Sequence, residues 1–173
     1  MNADRATTRG AFTLVELLMV ITILIIAAAV VIPNIGAASD TQAMSAARIV
    51  AADLEVTRDL ALKTQRPHTM LFSSDSQSYK VVSDYGGEPY TSAEAIEHPV
   101  LEGRAFEVTL AERNGMSAVV VANVSFGGDA YVTFNELGEP SSSGSITVEA
   151  GDVQIRVAVA GLTGSVSTIR LAN

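Results

Sequence analysis

The chain has 173 residues, with 11 Lys and Arg against 19 Asp and Glu, for a net charge of −8. It contains no Cys, which excludes a disulfide framework and a thiolate metal site and leaves stability to packing. The acidic balance is a poor match to nucleic acid, whose binding draws on Lys and Arg to neutralise phosphates, and suits basic or neutral protein surfaces better.

Residues 1–11 carry Arg5 and Arg9, and an apolar run then extends from Phe12 to Ile32 with Glu16 as its only charged residue. At 1.5 Å per helical residue, about 20 such residues cross the ~30 Å apolar layer of a bilayer, so the run can span a membrane. A carboxylate inside it costs on the order of 3 kcal/mol and calls for a neutralising partner. The plainer accounts are three: a secretory signal cleaved near Gly36-Ala37-Ala38, a simple membrane anchor, or a Glu16 that is protonated or snorkels to the interface. No basic residue follows the run until Arg48, so the positive-inside rule puts residues 1–11 in the cytoplasm and the remaining ~140 residues, enough for one domain, outside.

Pro33 and Gly36 predict a kink or local melt around Asn34-Ile35-Gly36, with Ser39 and Asp40 as caps if the helix restarts there. Over residues 33–66 an amphipathic helix is expected. Ala43, Ala47, Val50, Leu54 and Ala61 share one face, Ile49, Val56 and Leu60 form an offset apolar patch, and Arg48, Glu55 and Asp59 mark the polar side. Asp59 and Lys63 are spaced for an i,i+4 pair, and Pro67 ends the helix.

Residues 67–173 read as strands: 69–72, 79–82, 105–110, 117–125, 131–134, 145–149, 153–159 and 165–171. Asn114-Gly115 predicts a type I′ hairpin, and Ser141-Ser142-Ser143-Gly144-Ser145 predicts a mobile loop. A long N-terminal helix followed only by short strands is an α+β arrangement.

Catalytic chemistry finds no constellation. His68 and His98 lie beside Pro67 and Pro99, without metalloprotease spacing, and read as exposed loop residues. Glu88, Glu94, Glu97, Glu102, Glu107 and Glu112 have no EF-hand spacing and read as a solvated acidic face. Gly86-Gly87 and Gly127-Gly128-Asp129 lack the strand-to-helix setting of a phosphate loop and read as turns. There is no Gly-x-Ser-x-Gly. The reading is a non-enzyme with no metal and no cofactor.

Gly10-Ala11-Phe12-Thr13-Leu14-Val15-Glu16-Leu17-Leu18 resembles the leader-cleavage and methylation signature of type IV prepilins and type II secretion pseudopilins. The resemblance implies that prepilin peptidase removes residues 1–11 on the cytoplasmic side by cutting between Ala11 and Phe12, then methylates the new amine of Phe12. Gly10 stands one place earlier than the family's usual Gly, which leaves a cut after Gly10 as the other register. It also implies a transmembrane and assembly helix at 12–32, a helix-bending proline at Pro33, and Glu16 as the family's assembly carboxylate. Staggered side-by-side helices can set the Phe12 amine of one subunit against the Glu16 carboxylate of another, which keeps both groups ionised.

Further along, Ala47-Ala51-Leu54-Arg58-Ala61-Leu62-Lys63 with Gln65-Arg66-Pro67, then Val132-Thr133-Phe134-Asn135-Glu136-Leu137-Gly138-Glu139-Pro140, then Gly161-Leu162-Thr163-Gly164, resemble the H-type (GspH) minor pseudopilins and the FimT-type minor pilins. The implied fold is a long helix whose C-terminal half packs on two small antiparallel sheets. The implied setting is a bacterial inner membrane crossed once, with residues 67–173 as a periplasmic β domain and other pseudopilins or pilins as partners. FimT-type proteins that bind DNA carry two Arg after the final Gly, whereas this chain has Ser165 and Ser167 there, so nucleic acid is a minority reading. The leading function is a minor pseudopilin of type II secretion. The alternatives are a minor type IV pilin in pilus assembly or DNA uptake and, in a different class, a monomeric membrane-anchored periplasmic binding protein.

Overall fold

The computed structural model describes residues 12–31, 34–73, 75 and 78–172. Helix α1 is Leu14–Val31 and α2 is Asn34–Thr64. Eight strands follow: β1 His68–Phe72, β2 Ser78–Ser83, β3 Glu107–Thr109, β4 Val119–Phe126, β5 Tyr131–Phe134, β6 Gly144–Ala150, β7 Val153–Val159 and β8 Val166–Arg170, with a 3-10 turn at Leu110–Glu112 after β3. The chain divides into two compact units, one ending at Ala37 and the other running from Ala38 to Asn173. Pro33 and residues 1–11 lie outside the described residues. Where a local melt over Asn34–Gly36 is one of the two expectations, α2 is already helical there, as a single helical Gly costs only about 1 kcal/mol.

The second unit is built on the face of α2 that the sequence marks. Ala43, Ala46, Ala47, Val50, Leu54 and Ala61 are all fully buried, while Arg48, Glu55 and Asp59 are exposed. Ile49, Val56 and Leu60 are half-buried against the same core. α2 closes with Gln65 in the left-handed region (φ 52°), its Nε2 donating to Leu62 O at 2.8 Å, and Pro67 two residues later prevents resumption.

Two four-stranded antiparallel sheets cover this face, ordered β3-β2-β1-β5 and β4-β6-β7-β8. In the first, Met70 pairs with Val81 on one side and Val132 on the other; in the second, Val148 pairs with Val121 and Ile155. These residues, with Tyr79, Phe106, Phe126, Phe134 and Ile146, join the α2 residues in one apolar cluster.

Four expectations change. Asn114-Gly115 makes no hairpin, because β3 and β4 belong to different sheets. Buried Leu110 turns the chain inward instead, and successive turns (Arg113 N–H to Leu110 O, 3.1 Å; Met116 N–H to Arg113 O, 3.0 Å; Val119 N–H to Met116 O, 3.0 Å) lead into β4. Only Gly115 has positive φ, where a type I′ turn needs it at both centres. His68 is buried within β1, with its ring Nδ1 3.0 Å from Arg66 O. His98 is half-buried, its ring 4.5 Å from that of Phe106 and its Nδ1 accepting from the amides of Val100 and Leu101. Ser141 is no free tether: its amide donates to Thr133 O at 2.7 Å, and Gly144 and Ser145 already belong to β6.

One buried polar pair escapes any sequence reading. The Tyr79 hydroxyl on β2, fully buried, donates to Asp53 Oδ2 on α2 at 2.6 Å. Burial raises the Asp53 carboxyl above its ordinary value, opposed by the Tyr79 hydrogen bond and the charges of Arg113 and His98. Burial, and then the Asp53 charge, push the Tyr79 hydroxyl well above its own. A carboxyl raised on folding favours the protonated form, so its contribution to stability is full below the ordinary Asp range and falls as pH rises through the raised value. In urea denaturation of the full chain in detergent, Asp53→Asn should therefore gain on the wild type as pH rises from acid to neutral. Tyr79→Phe, which strands the carboxylate, should cost about 2 kcal/mol at neutral pH.

Candidate functional site

Phe12 lies just ahead of α1, and Glu16 lies in its first turn. Thr13 is its N-cap: Thr13 Oγ1 accepts from the Glu16 amide at 3.2 Å, and Thr13 O accepts from Glu16 and Leu17 at 3.1 and 3.2 Å. Thr13-Leu14-Val15-Glu16 thus has capping-box spacing, and Glu16 sits in the first turn, where the helix dipole favours an anion. The spacing is visible in the sequence, but the transmembrane pattern draws attention away from it.

Beyond Glu16, α1 is apolar on every side. Its large apolar side chains from Leu14 to Ile26 are 47–79 % exposed and Phe12 is 77 % exposed. Thr22 turns its hydroxyl back onto Leu18 O at 2.6 Å, so it presents no unmet polar group. A helix apolar all round is a helix meant for burial. Among the described residues, no helix is long and apolar enough to cross a membrane. The 18 residues of α1 rise about 27 Å, just short of the ~30 Å hydrocarbon layer, and Ile32, the last residue of the apolar run, lies outside the described residues.

In the second unit, the three later sequence motifs converge on one side chain. Arg58 Nε on α2 donates to Gly138 O, in the turn after β5, at 3.0 Å. Gly164, in the turn between β7 and β8, is buried (φ 64°), and a Cβ there would stand 2.7 Å from Gly138 O and 3.1 Å from Arg58 Nε. The turn holding Gly138 is rigid: Asn135 Oδ1 accepts from the amides of Leu137 (3.0 Å) and Glu139 (2.9 Å), and its Nδ2 donates to Glu139 Oε2 (2.8 Å). The junction carries no reacting group. It locks two β turns to the end of α2 and leaves Leu137 and Leu162 on those turns 70 % and 87 % exposed.

The acidic series is solvated, as expected, with all six Glu side chains exposed. Two of them also order the long β2–β3 connection. Glu97 Oε1 accepts from the Gly103 amide at 2.6 Å, and Glu107 Oε1 accepts from the Tyr90 hydroxyl at 2.9 Å. Lys80, buried on β2, donates to Ala93 O at 3.2 Å, lies 3.7 Å from Glu107 Oε1 and sits 4.2 Å from the Tyr90 ring centroid. Burial chiefly, with the Glu107 contact adding, pushes the Tyr90 hydroxyl up to about 12.

An N-terminal helix apolar on all sides, a second helix and a head of two small antiparallel sheets define an α+β protein of the type IV pilin-like class. Residues 46–163, more than half of the chain, match the family described as Type II transport protein GspH, and the chain belongs to that family. The fold is similar to that of the minor pseudopilin EpsH from the type II secretion system of Vibrio cholerae in two structures. One has a TM-score of 0.56 at 12 % identity, covering 77 % of this chain and 96 % of that one; the other has a TM-score of 0.55 at 12 % identity, covering 75 % and 97 %. It is similar as well to the type IV minor pilin FimU of Pseudomonas aeruginosa (TM-score 0.54, 12 % identity, covering 75 % of this chain and 90 % of that one). No curated protein matches the sequence.

The Arg58 junction yields a direct expectation. Gly164→Ala forces a side chain into a left-handed position against Gly138 O and should destabilise the head by about 1–3 kcal/mol in chemical denaturation. Arg58→Ala should loosen both turns, with proteolytic nicking between residues 135 and 141 appearing before global unfolding.

Proposed function

We propose that this chain is a minor pseudopilin, a structural subunit of the periplasmic pseudopilus of a type II secretion system, and not an enzyme. The observation that carries the reading is α1, apolar on every face with a single carboxylate fixed in its capped first turn, in a chain of the GspH family. Such a helix has two environments open to it, lipid and other helices like itself. In the first, residues 12–32 hold the subunit in the bacterial inner membrane, once crossed, with the head in the periplasm. In the second, the helix enters a filament beside those of other pseudopilins. Prepilin peptidase links the two by cutting between Ala11 and Phe12 and methylating the new amine, and Glu16 then pairs with the amine of a neighbour. Pro33 and Gly36 are the residues proposed to kink the helix.

The minor type IV pilin reading is favoured by the likeness to FimU and uses the same helix and the same chemistry. Companion subunits distinguish it: co-purification from the native host with secretion-system or with pilus components decides between the two.

Glu16→Ala is the decisive variant, because the Thr13 cap uses the Glu16 backbone amide and survives the change. Membrane insertion should be unaffected, while filament incorporation should fall by about tenfold or more, the scale of one lost desolvated charge pair. Normal incorporation sinks the role of Glu16 in assembly, whereas a wild-type chain that enters no filament favours a monomeric anchored binding protein. Intact mass spectrometry should find a mature chain beginning at methylated Phe12; a chain beginning at Met1 or Ser39 overturns the processing.

A further inference from the structure

The two sheets have four outer edges, and three of them are closed or interrupted. β3 is three residues long and runs straight into the 3-10 turn. β4 carries an irregularity between Val121 and Asn123. The outer edge of β5 is covered by the segment after its turn: Ser141 N–H donates to Thr133 O at 2.7 Å, Thr133 N–H donates to Ser141 Oγ at 3.3 Å, and Phe134 bridges Pro140.

β8 is the fourth edge, and among the described residues it has none of these devices. It pairs with β7 over all five residues without a register shift and contains no Pro and no Lys. Ala160 N–H donates to Ser165 O and Leu171 N–H to Gln154 O, each at 3.0 Å. Antiparallel alternation between these two points makes Ala158/Ser167 and Arg156/Ile169 the hydrogen-bonded pairs. The amides and carbonyls of Val166, Thr168 and Arg170 therefore point away from β7, at a repeat of roughly 7 Å. Exposed edges of this kind are ordinarily blunted by charge, proline or bulges, because they recruit further strands. The strand's one charge is drawn off the edge: Arg170 Nη1 lies 2.9 Å from Asp40 Oδ1 on α2. On the opposite face Ile169 is 55 % exposed beside Arg156.

We propose that β8 is a docking strand, and that an extended segment of a neighbouring subunit of different sequence joins the sheet β4-β6-β7-β8 as its fifth strand. The row of outward amides and carbonyls identifies the occupant as an extended backbone, since no other partner meets donors and acceptors at that repeat. Ile169 and Arg156 favour apolar and acidic side chains on its outer face. Pairing of β8 with the same strand of a second copy is disfavoured by symmetry: it closes a two-fold dimer, whereas helices stacked in one direction along a filament are related head to tail. The inference rests on the assembly reading above and names one of its partners.

The test uses the full-length chain, free in detergent and assembled with its companion subunits, followed by residue-resolved hydrogen exchange. The amides of Val166, Thr168 and Arg170 should exchange freely in the free subunit and slow by about tenfold or more on assembly, while those of Ser167 and Ile169 are protected in both. Thr168→Pro removes an amide the fold does not use. It should leave the unfolding midpoint of the free subunit unchanged yet cut incorporation by about tenfold, the equivalent of one or two ladder hydrogen bonds. Ile169→Lys, which changes no backbone group, should do the same if the proline variant proves unstable.

Unchanged exchange at the three outward amides in assembled filaments overturns the docking strand and leaves the role of Glu16 standing. Absence of the wild-type chain from any filament counts against the assembly reading instead. A chain without Cys also permits a partner test: Ser167→Cys carrying a thiol-attached photo-crosslinker should cross-link to a different subunit, and a cross-link to a second copy of itself overturns the choice of partner.

Discussion

The head depends on the burial of one face of α2. Ala43, Ala46, Ala47 and Ala61 keep that face low, so sheets can approach it closely, while Val50 and Leu54 supply bulk at its centre. The larger of two buried clusters, which they join, takes in Met70 and Val132 from one sheet and Ile146 and Val157 from the other. Both sheets contribute to that cluster, and the helix gives them a common floor. A large side chain in place of Ala46 or Ala47 would prise both sheets away together.

Apolar burial is non-directional and leaves the helix free to slide or rotate. Polar ties at three levels remove that freedom: Asp40 to Arg170 of β8, Asp53 to Tyr79 of β2, and Arg58 to the turn after β5. By helical rise they are about 20 and 7 Å apart, so together they fix the register of α2 against both sheets. The exposed pair contributes little to stability, and burial raises the half-buried Asp53 carboxyl above its ordinary value. What these contacts supply is a defined geometry for the turns at the end of α2 and for the edge at β8.

α1 is the opposite case. It meets its internal hydrogen bonds through the helix and the Thr13 cap, and beyond them offers apolar surface on every side and one carboxylate. A helix with one apolar stripe can be satisfied by its own domain; a helix apolar all round requires surroundings that are themselves apolar on all sides. The protein therefore combines a head with a core of its own and a helix whose large apolar side chains from Leu14 to Ile26 stand exposed.

Much of this is legible along the chain. The 3.6-residue pattern from Ala43 to Ala61, the stop before Pro67, the positions of the strands and the turns at Gly127-Gly128 and Gly161–Gly164 follow from side-chain period and backbone freedom, which are local properties. The exposed Glu series follows from the cost of burying charge. Asn114-Gly115 misleads because its local preference is overridden: Leu110 must be buried, and the chain crosses from one sheet to the other to achieve it. His68 misleads for a related reason, since strand pairing carries it inside whatever its neighbour Pro67 prefers.

By itself, then, the sequence determined the class of fold, the helix face that would be buried, and the apolar segment with its single acid, because period, charge and chain flexibility are written residue by residue. Only the tertiary structure decided that Asp53 meets Tyr79, that Arg58, Gly138 and Gly164 form one junction, and that β8 is the edge left open. The first two join residues 26 and 80 positions apart through hydrogen bonds. Contacts at such separations depend on which strands become neighbours, and that is settled by packing the whole cluster rather than by any local preference.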